Sequence, residues 1–311
     1  MDKQITTLEA WLRLLRVPNL LTVPGDPVAG YLLAMLCCGS ELKLLALIAS
    51  VGASLCLYCF GLLLNDMVDV QVDLQERPER PLPSGQISFS SARGAAVAFG
   101  FTGLNLALFA GLPVLYAAAV LAALIILYNA GFKRLPGVGV ITMGLCRGFS
   151  FLLGAIAALP DPARLCALSC APVVLGFIAV TLAFIGISAV ARNEMDAEKS
   201  LGFQRWLPFA ALLLTMPGMV VAHSALELGA RMGAMTYIFL MVMTLMRSWL
   251  LGGMMYRCQP VPVTVGGHIR NHLLVQASLA SIGGGIGLAV AGVLVLVSQL
   301  FAALSRRFYS S

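Results

Sequence analysis

Apolar residues come in long runs separated by short polar stretches over nearly all of the 311-residue chain. A membrane-spanning helix needs about 20 consecutive apolar residues, and the runs repeat at that scale. They predict helices at 20–38, 42–64, 92–110, 114–130, 138–159, 172–191, 206–224, 235–255 and 273–304. Residues 6–16 are instead amphipathic, with Trp11, Arg13 and Arg16, and predict a helix lying in the interface. Gly111-Leu112-Pro113, the PDPAR stretch at 160–164 and PLPSG at 81–85 break the pattern, since glycine and proline punctuate helices. Ser90 or Ser91 is a candidate cap for the third helix. The expected fold class is therefore all-α: a polytopic membrane helical bundle of about nine transmembrane helices, forming one domain over 1–311. Polar stretches follow the second and the sixth predicted helix. Four helices separate them, so they share a side, and the halves 17–160 and 161–311 read as two parallel pseudo-repeats.

Composition narrows the class further. With 59% hydrophobic and 11% charged residues, and a mean hydropathy of +0.92, this is no ordinary soluble domain. No basic run is interleaved with aromatics, so the net charge of +6 points away from nucleic acid. The first sixteen residues lack the apolar core of a cleavable signal. Basic residues orient membrane proteins. Arg77, Arg80, Arg93, Lys133, Arg134, Arg192, Lys199, Arg205, Arg257 and Arg270 follow the even-numbered helices; only Lys43, Arg164 and Arg231 follow the odd ones. The even loops are expected to face the cytoplasm from an inner or plasma membrane, with the N-terminus. Nine spans leave Arg306 and Arg307 on the opposite side, against that bias. Of the eight cysteines, Cys56 and Cys59 form a CxxC inside an apolar run and read as core thiols.

The densest chemistry lies at 64–85, LNDMVDVQVDLQERPERPLPSG, which holds five of the fourteen acidic residues. Residues three and four apart are neighbours on a helix, so Asp66, Asp69 and Asp73 share a face. Three stacked carboxylates repel unless a positive charge sits among them. A hard cation such as Mg²⁺ takes oxygen ligands and commonly brings substrate phosphates with it. Arg77 and Arg80 follow within two turns and suit phosphate geometry. The second polar stretch, RNEMDAEKSLGFQR, carries Glu194 and Glu198 at i and i+4, with Asp196 between them. Arg147 lies inside a predicted span, where a bare charge is costly, and is expected to face the interior and pair with a carboxylate or phosphate. Asp26, between prolines in the first helix, is either a cavity residue or the partner of an arginine. His268 and His272 stand at i and i+4 in what reads as the last polar loop, a spacing that can hold zinc, but with no third ligand in view. His223 reads as interfacial.

NDMVDVQVD followed by ERPERPLPSG resembles the first aspartate motif of the UbiA family of intramembrane prenyltransferases. The resemblance implies a nine-helix fold and Mg²⁺-dependent transfer of a prenyl group from a prenyl diphosphate to an aromatic or other lipophilic acceptor, through an allylic cation. It implies catalytic roles for Asp66, Asp69, Asp73 and Arg77, with Asn65 and Arg80 beside the substrate. Glu194 and Glu198 take the places of the aspartates of the family's second motif. That departure leaves Asp66, Asp69, Asp73, Glu194, Asp196 and Glu198 as the candidate metal ligands. YNAGFKR resembles the family's tyrosine-to-lysine segment and adds Tyr128, Lys133 and Arg134; RVPN resembles the opening of its first helix and adds Arg16 and Asn19. The competing readings are a transporter with a carboxylate cation site and a non-catalytic prenyl-lipid binder. The expected partners are the donor diphosphate, the acceptor and membrane lipid.

Overall fold

The computed structural model describes residues 6–159, 161, 171–192, 202–225, 231–256 and 261–309. Every long element among them is helical. The amphipathic start forms α1 (Thr7–Leu14), with the Thr6 hydroxyl capping the Glu9 amide and a Glu9–Arg13 pair one turn apart. A short α2 (Val17–Leu20) and α3 (Gly25–Cys38) follow, and then α4 (Leu44–Val68) and its extension α5 (Val70–Glu76). Next come α6 (Phe89–Ala110), α7 (Leu112–Ala130), α8 (Val138–Ala158) and α9 (Ala171–Ala191). The chain closes with α10 (Leu207–Ala225), α11 (Arg231–Tyr256), α12 (Val261–Ser281) and α13 (Gly284–Tyr309). Among the described residues, eight helices are long and apolar enough to cross a membrane: Val17–Cys38, α4, α6, α7, α8, α9, and the bulk of α11 and α13. Outward apolar side chains such as Phe101, Phe109, Leu214 and Leu296 are exposed, as lipid-facing surfaces require. The protein is a multi-pass membrane protein.

The first eight predicted helices each correspond to one long helix, with ends shifted by a few residues. The cap of α6 is Ser88, whose hydroxyl accepts from the Ser91 amide, rather than Ser90 or Ser91. The ninth prediction, 273–304, divides in two. Gly284 adopts φ +73°, a left-handed conformation that glycine enters without steric cost, and α13 folds back along α12. The polar loop expected before it is the first half of α12, so His268 and His272 lie in a helix and are buried. One consequence is topological. An antiparallel α12–α13 pair returns the chain to the side where α12 began, so α13 ends on the same side as the aspartate stretch and the conflict over Arg306 and Arg307 disappears.

Helix packing is closest where glycines meet backbone. A β-carbon on Gly30 would collide with the Phe151 carbonyl, and one on Gly154 with the Pro27 carbonyl, so α3 and α8 touch nearly main chain to main chain. Small residues at such crossings are how membrane helices gain dispersion contact. This crossing brings Asp26 of α3 beside Arg147 of α8.

Candidate active site

The last turn of α4 carries Asn65 and Asp66. Asp69 sits at the junction with α5, where the helix kinks but its backbone bonding continues through Asp69 N–H to Asn65 C=O and Asp73 N–H to Asp69 C=O. The three carboxylates therefore do line one flank, as their spacing predicts. Each is met by a base from a different part of the chain. Arg16 donates to Asp66 at 2.9 Å, Lys133 to Asp69 at 2.5 Å, and Arg80 reaches Asp73 with one nitrogen at 2.9 and 2.7 Å from its two oxygens. Lys133 also donates to the Asn65 side-chain oxygen at 3.2 Å. The prolines at 78 and 81 end α5 and turn the chain so that Arg80 folds back, and the Ser84 hydroxyl fixes that turn by donating to the Arg80 carbonyl. Arg16 holds a left-handed backbone, φ +48°, the only non-glycine residue among those described with positive φ. Such conformations cluster where function fixes a side chain.

Behind these pairs a cavity of about 200 Å³ runs between α4, α7 and α8. Arg16, Asn65 and Tyr128 line its mouth; Leu57, Leu121, Ile125 and Met143 line its apolar middle. Its inner wall is formed by Arg147 and by Ser54 and Ser150, whose hydroxyls bond each other at 2.6 Å. Arg147 is buried and answers the alternatives left open by the sequence. It pairs with Asp26 at 2.6 Å and donates to the Thr22 carbonyl at 2.8 Å. Asp26 is fully buried; His272 Nε2 lies 2.7 Å from one of its oxygens, and Gln276 donates to that same oxygen at 2.7 Å. Gln276 donates also to the Thr22 carbonyl at 2.6 Å, while the Arg147 guanidinium lies over Phe184 at 4.5 Å. The partners on α12, His272 and Gln276, escaped the sequence reading; the signal was the i, i+4, i+8 spacing of His268, His272 and Gln276 on one helix face.

The expected residues divide accordingly. Asn65, Asp66, Asp69, Asp73, Arg16, Arg80, Lys133 and Tyr128 gather at the mouth, and Arg147 at the inner wall. Arg77 ends α5, half-buried, with its amide donating to the Asp73 carbonyl. Arg134 is exposed on the turn after α7. Asn19 stays local, its carbonyl accepting from the Thr22 hydroxyl and amide. Glu194, Asp196 and Glu198 lie outside the described residues. Among the described residues no three acids, histidines or cysteines converge to cage a metal. The carboxylates at the mouth are nonetheless hard oxygen donors, and Mg²⁺ is commonly held by one or two such groups with water and substrate phosphate rather than by a closed cage. The donor set fits it.

A helical membrane bundle with an acidic, arginine-rimmed mouth over an apolar cleft defines a class. The chain belongs to the UbiA prenyltransferase family, whose sequence profile matches residues 28–308. It is 31% identical to the digeranylgeranylglyceryl phosphate synthase of Methanocaldococcus jannaschii over 63% of this chain and 65% of that protein. It is 30% identical to the same-named synthase of Ignicoccus hospitalis over 76% of this chain and 78% of that one. The match to the Methanocaldococcus protein thus spans just under two-thirds of that relative's length. Among solved structures, a digeranylgeranylglyceryl phosphate synthase shares the fold with a TM-score of 0.62 at 22% identity, covering 89% of this chain and 97% of that one. A UbiA homologue from Archaeoglobus fulgidus, bound to DMAPP and Mg²⁺, shares it with a TM-score of 0.54 at 17% identity, over 86% and 99% of the chains.

Proposed function

We propose that the chain transfers a prenyl group from a prenyl diphosphate to a lipophilic acceptor, with Mg²⁺ at the mouth. The observation that carries this reading is an apolar cavity whose mouth is lined by Arg16, which pairs with Asp66, and by Asn65, which accepts from the Lys133 that pairs with Asp69. A prenyl tail fits the middle of the cavity, and a diphosphate fits the mouth. Mg²⁺ held by Asp66, Asp69 and Asp73 would neutralise negative charge on the leaving diphosphate. Arg16, Lys133 and Arg80 already stand beside those carboxylates; on substrate binding they can exchange a carboxylate oxygen for a phosphate oxygen and hold it by charge-assisted bonds. Arg77 adds fixed charge at the same end. The Tyr128 ring stands at the mouth, where an aromatic face favours positive charge. Glu194, Asp196 and Glu198 are the proposed second ligand set. The acceptor class follows the named relatives: a lipid carrying glyceryl phosphate.

The transporter reading needs an accessible carboxylate midway through the bundle. The carboxylate there, Asp26, is sealed by Arg147, His272 and Gln276. We infer that the acidic mouth faces the cytoplasm, since the loops on that side carry most of the bases. Purified protein should release diphosphate from a prenyl diphosphate with Mg²⁺ and stop in chelator; full turnover in chelator overturns the metal role. Cysteines at Gln86 and Ser311 should be labelled from the same membrane side, and labelling from opposite sides would refute the α12–α13 return.

A further inference from the structure

One polar side chain of the cavity is used neither by the mouth nor by the inner wall. Asn129 stands in the last turn of α7 and is 4% exposed. Leu121, Ile125 and Asn129 repeat at i, i+4 and i+8, and all three line the cavity, with Tyr128 beside them. Asn129 therefore sits where the apolar middle meets the mouth. Its Nδ2 donates to the Ile125 carbonyl at 2.9 Å. Turning the amide over would set two oxygens face to face, so this bond fixes which atom is left over. That atom is Oδ1, which is buried and has no hydrogen-bond partner among the described residues. Other polar side chains of the cavity do have partners: Arg16 meets Asp66, Asn65 meets Lys133, Ser54 meets Ser150 and Arg147 meets Asp26. A buried oxygen left unpaired is costly to the fold. A ligand in the cavity is the group placed to supply the missing donor.

We propose that Asn129 accepts a hydrogen bond from a hydroxyl of the prenyl acceptor and so positions that oxygen for attack, which makes the prenyl acceptor an alcohol rather than a carbon nucleophile. The proposal rests on the prenyl-transfer reading. A prenyl diphosphate offers oxygens that only accept, and an apolar tail, so it leaves Oδ1 unmet. A nucleophilic ring carbon brings no proton that could pair with Oδ1; an alcohol does. In a glyceryl phosphate lipid with its alkyl chain on the far carbon, the free hydroxyl stands on the carbon next to the one that bears the phosphate. With that phosphate among the bases of the mouth, the hydroxyl falls just inside, at the depth of Asn129. The alcohol oxygen then forms its bond to C1 of the prenyl group as the C1–O bond to diphosphate breaks, and the electron pair leaves with the diphosphate. An amide oxygen is too weak a base to keep the alcohol proton, which passes to an oxygen of the departing diphosphate. Asn129 thus orients the hydroxyl and takes no part in the proton balance.

The test uses purified full-length protein and two probes: dodecylglyceryl phosphate with its free hydroxyl, and the same molecule with that hydroxyl methylated. Wild type should bind the hydroxyl probe about tenfold tighter than the methyl ether, one hydrogen bond's worth. Asn129→Leu should bind the two alike. Asn129→Thr should keep part of the preference. The Thr142 and Thr215 hydroxyls donate to the carbonyl four residues earlier, and a hydroxyl so placed still has lone pairs to accept with. Asn129→Leu should melt close to wild type, because losing the bond to Ile125 is offset by removing the unpaired oxygen. In turnover it should lower kcat/KM for the hydroxyl probe about tenfold or more and leave the donor KM unchanged, a split that lost packing would not give. Equal affinity of wild type for the two probes, binding of neither, or a preference that survives in Asn129→Leu overturns the proposal; prenyl transfer to the hydroxyl probe alongside any of these leaves the transfer reading standing. A preference that Asn129→Leu abolishes, in a protein that releases no diphosphate from any prenyl donor, refutes the transfer reading and sustains the hydrogen bond to Asn129.

Discussion

The two ends of the cavity both hold carboxylates paired with bases, and they are built for opposite purposes. At the mouth each acid has its own base, and one member of every pair retains a quarter to a third of its side-chain exposure. The bases come from three separate loops or junctions. At the inner wall a single carboxylate, fully buried, is shared by Arg147, His272 and Gln276 from two helices. A pair with one member still open to solvent is held less tightly than one buried on both sides, because water can take the place of the lost partner. A buried charge left without its partner costs several kcal/mol. The mouth is thus a set of charges that a ligand can rearrange, and the inner wall is a set that it cannot.

Removing one partner should expose that contrast. The largest effect on folding is expected for Asp26→Asn, which leaves Arg147 buried and uncompensated: a loss of about 3–5 kcal/mol, read by denaturant unfolding in detergent. Wild-type stability in this variant would abolish the distinction between the two ends. At the mouth, Asp66→Asn or Asp69→Asn should cut turnover on the order of 10²–10³ with little change in melting, because an amide relieves repulsion among the acids. Glu198→Gln should cost less than Asp69→Asn, and Glu194→Gln with Glu198→Gln about as much; steady-state diphosphate release decides it. Lys133→Gln should raise the donor KM about tenfold, one charge-assisted contact's worth, again without unfolding. The smallest effect belongs to Glu9→Gln on α1, whose exposed pair with Arg13 should be worth under about 0.5 kcal/mol.

The mouth was legible in the sequence because its parts are local. Asp66, Asp69 and Asp73 declare their shared face through spacing alone, and the prolines that turn Arg80 back are five residues or fewer from Glu76. The inner wall was half legible. Arg147 had to be paired and Asp26 had to be compensated, but nothing in the spacing joins residues 121 apart. His272 and Gln276 were hidden for a different reason. The first part of α12 holds Gly266, Gly267, His268, Arg270 and Asn271, a composition of loops, and it becomes a buried helix only because α3, α9 and α11 surround it. The α12–α13 turn was missed because apolar residues flank Gly283-Gly284-Gly285 on both sides, and the hydropathy hides a glycine run that is itself a stop signal.

The near-contact of α3 and α8 at Gly30 and Gly154 has an effect beyond packing. Asp26 lies one turn from Gly30, and Arg147 two turns from Gly154, so the separation of the helices sets the separation of the charges. The crossing works as a spacer of fixed gauge, machined from two hydrogens where other residues carry methyl groups. A methyl on Gly154 would touch no polar atom of the cavity wall and would still misalign it, since the Pro27 carbonyl has nowhere to retreat without carrying Asp26 along. The pocket is therefore sensitive to substitution at a position that does not line it.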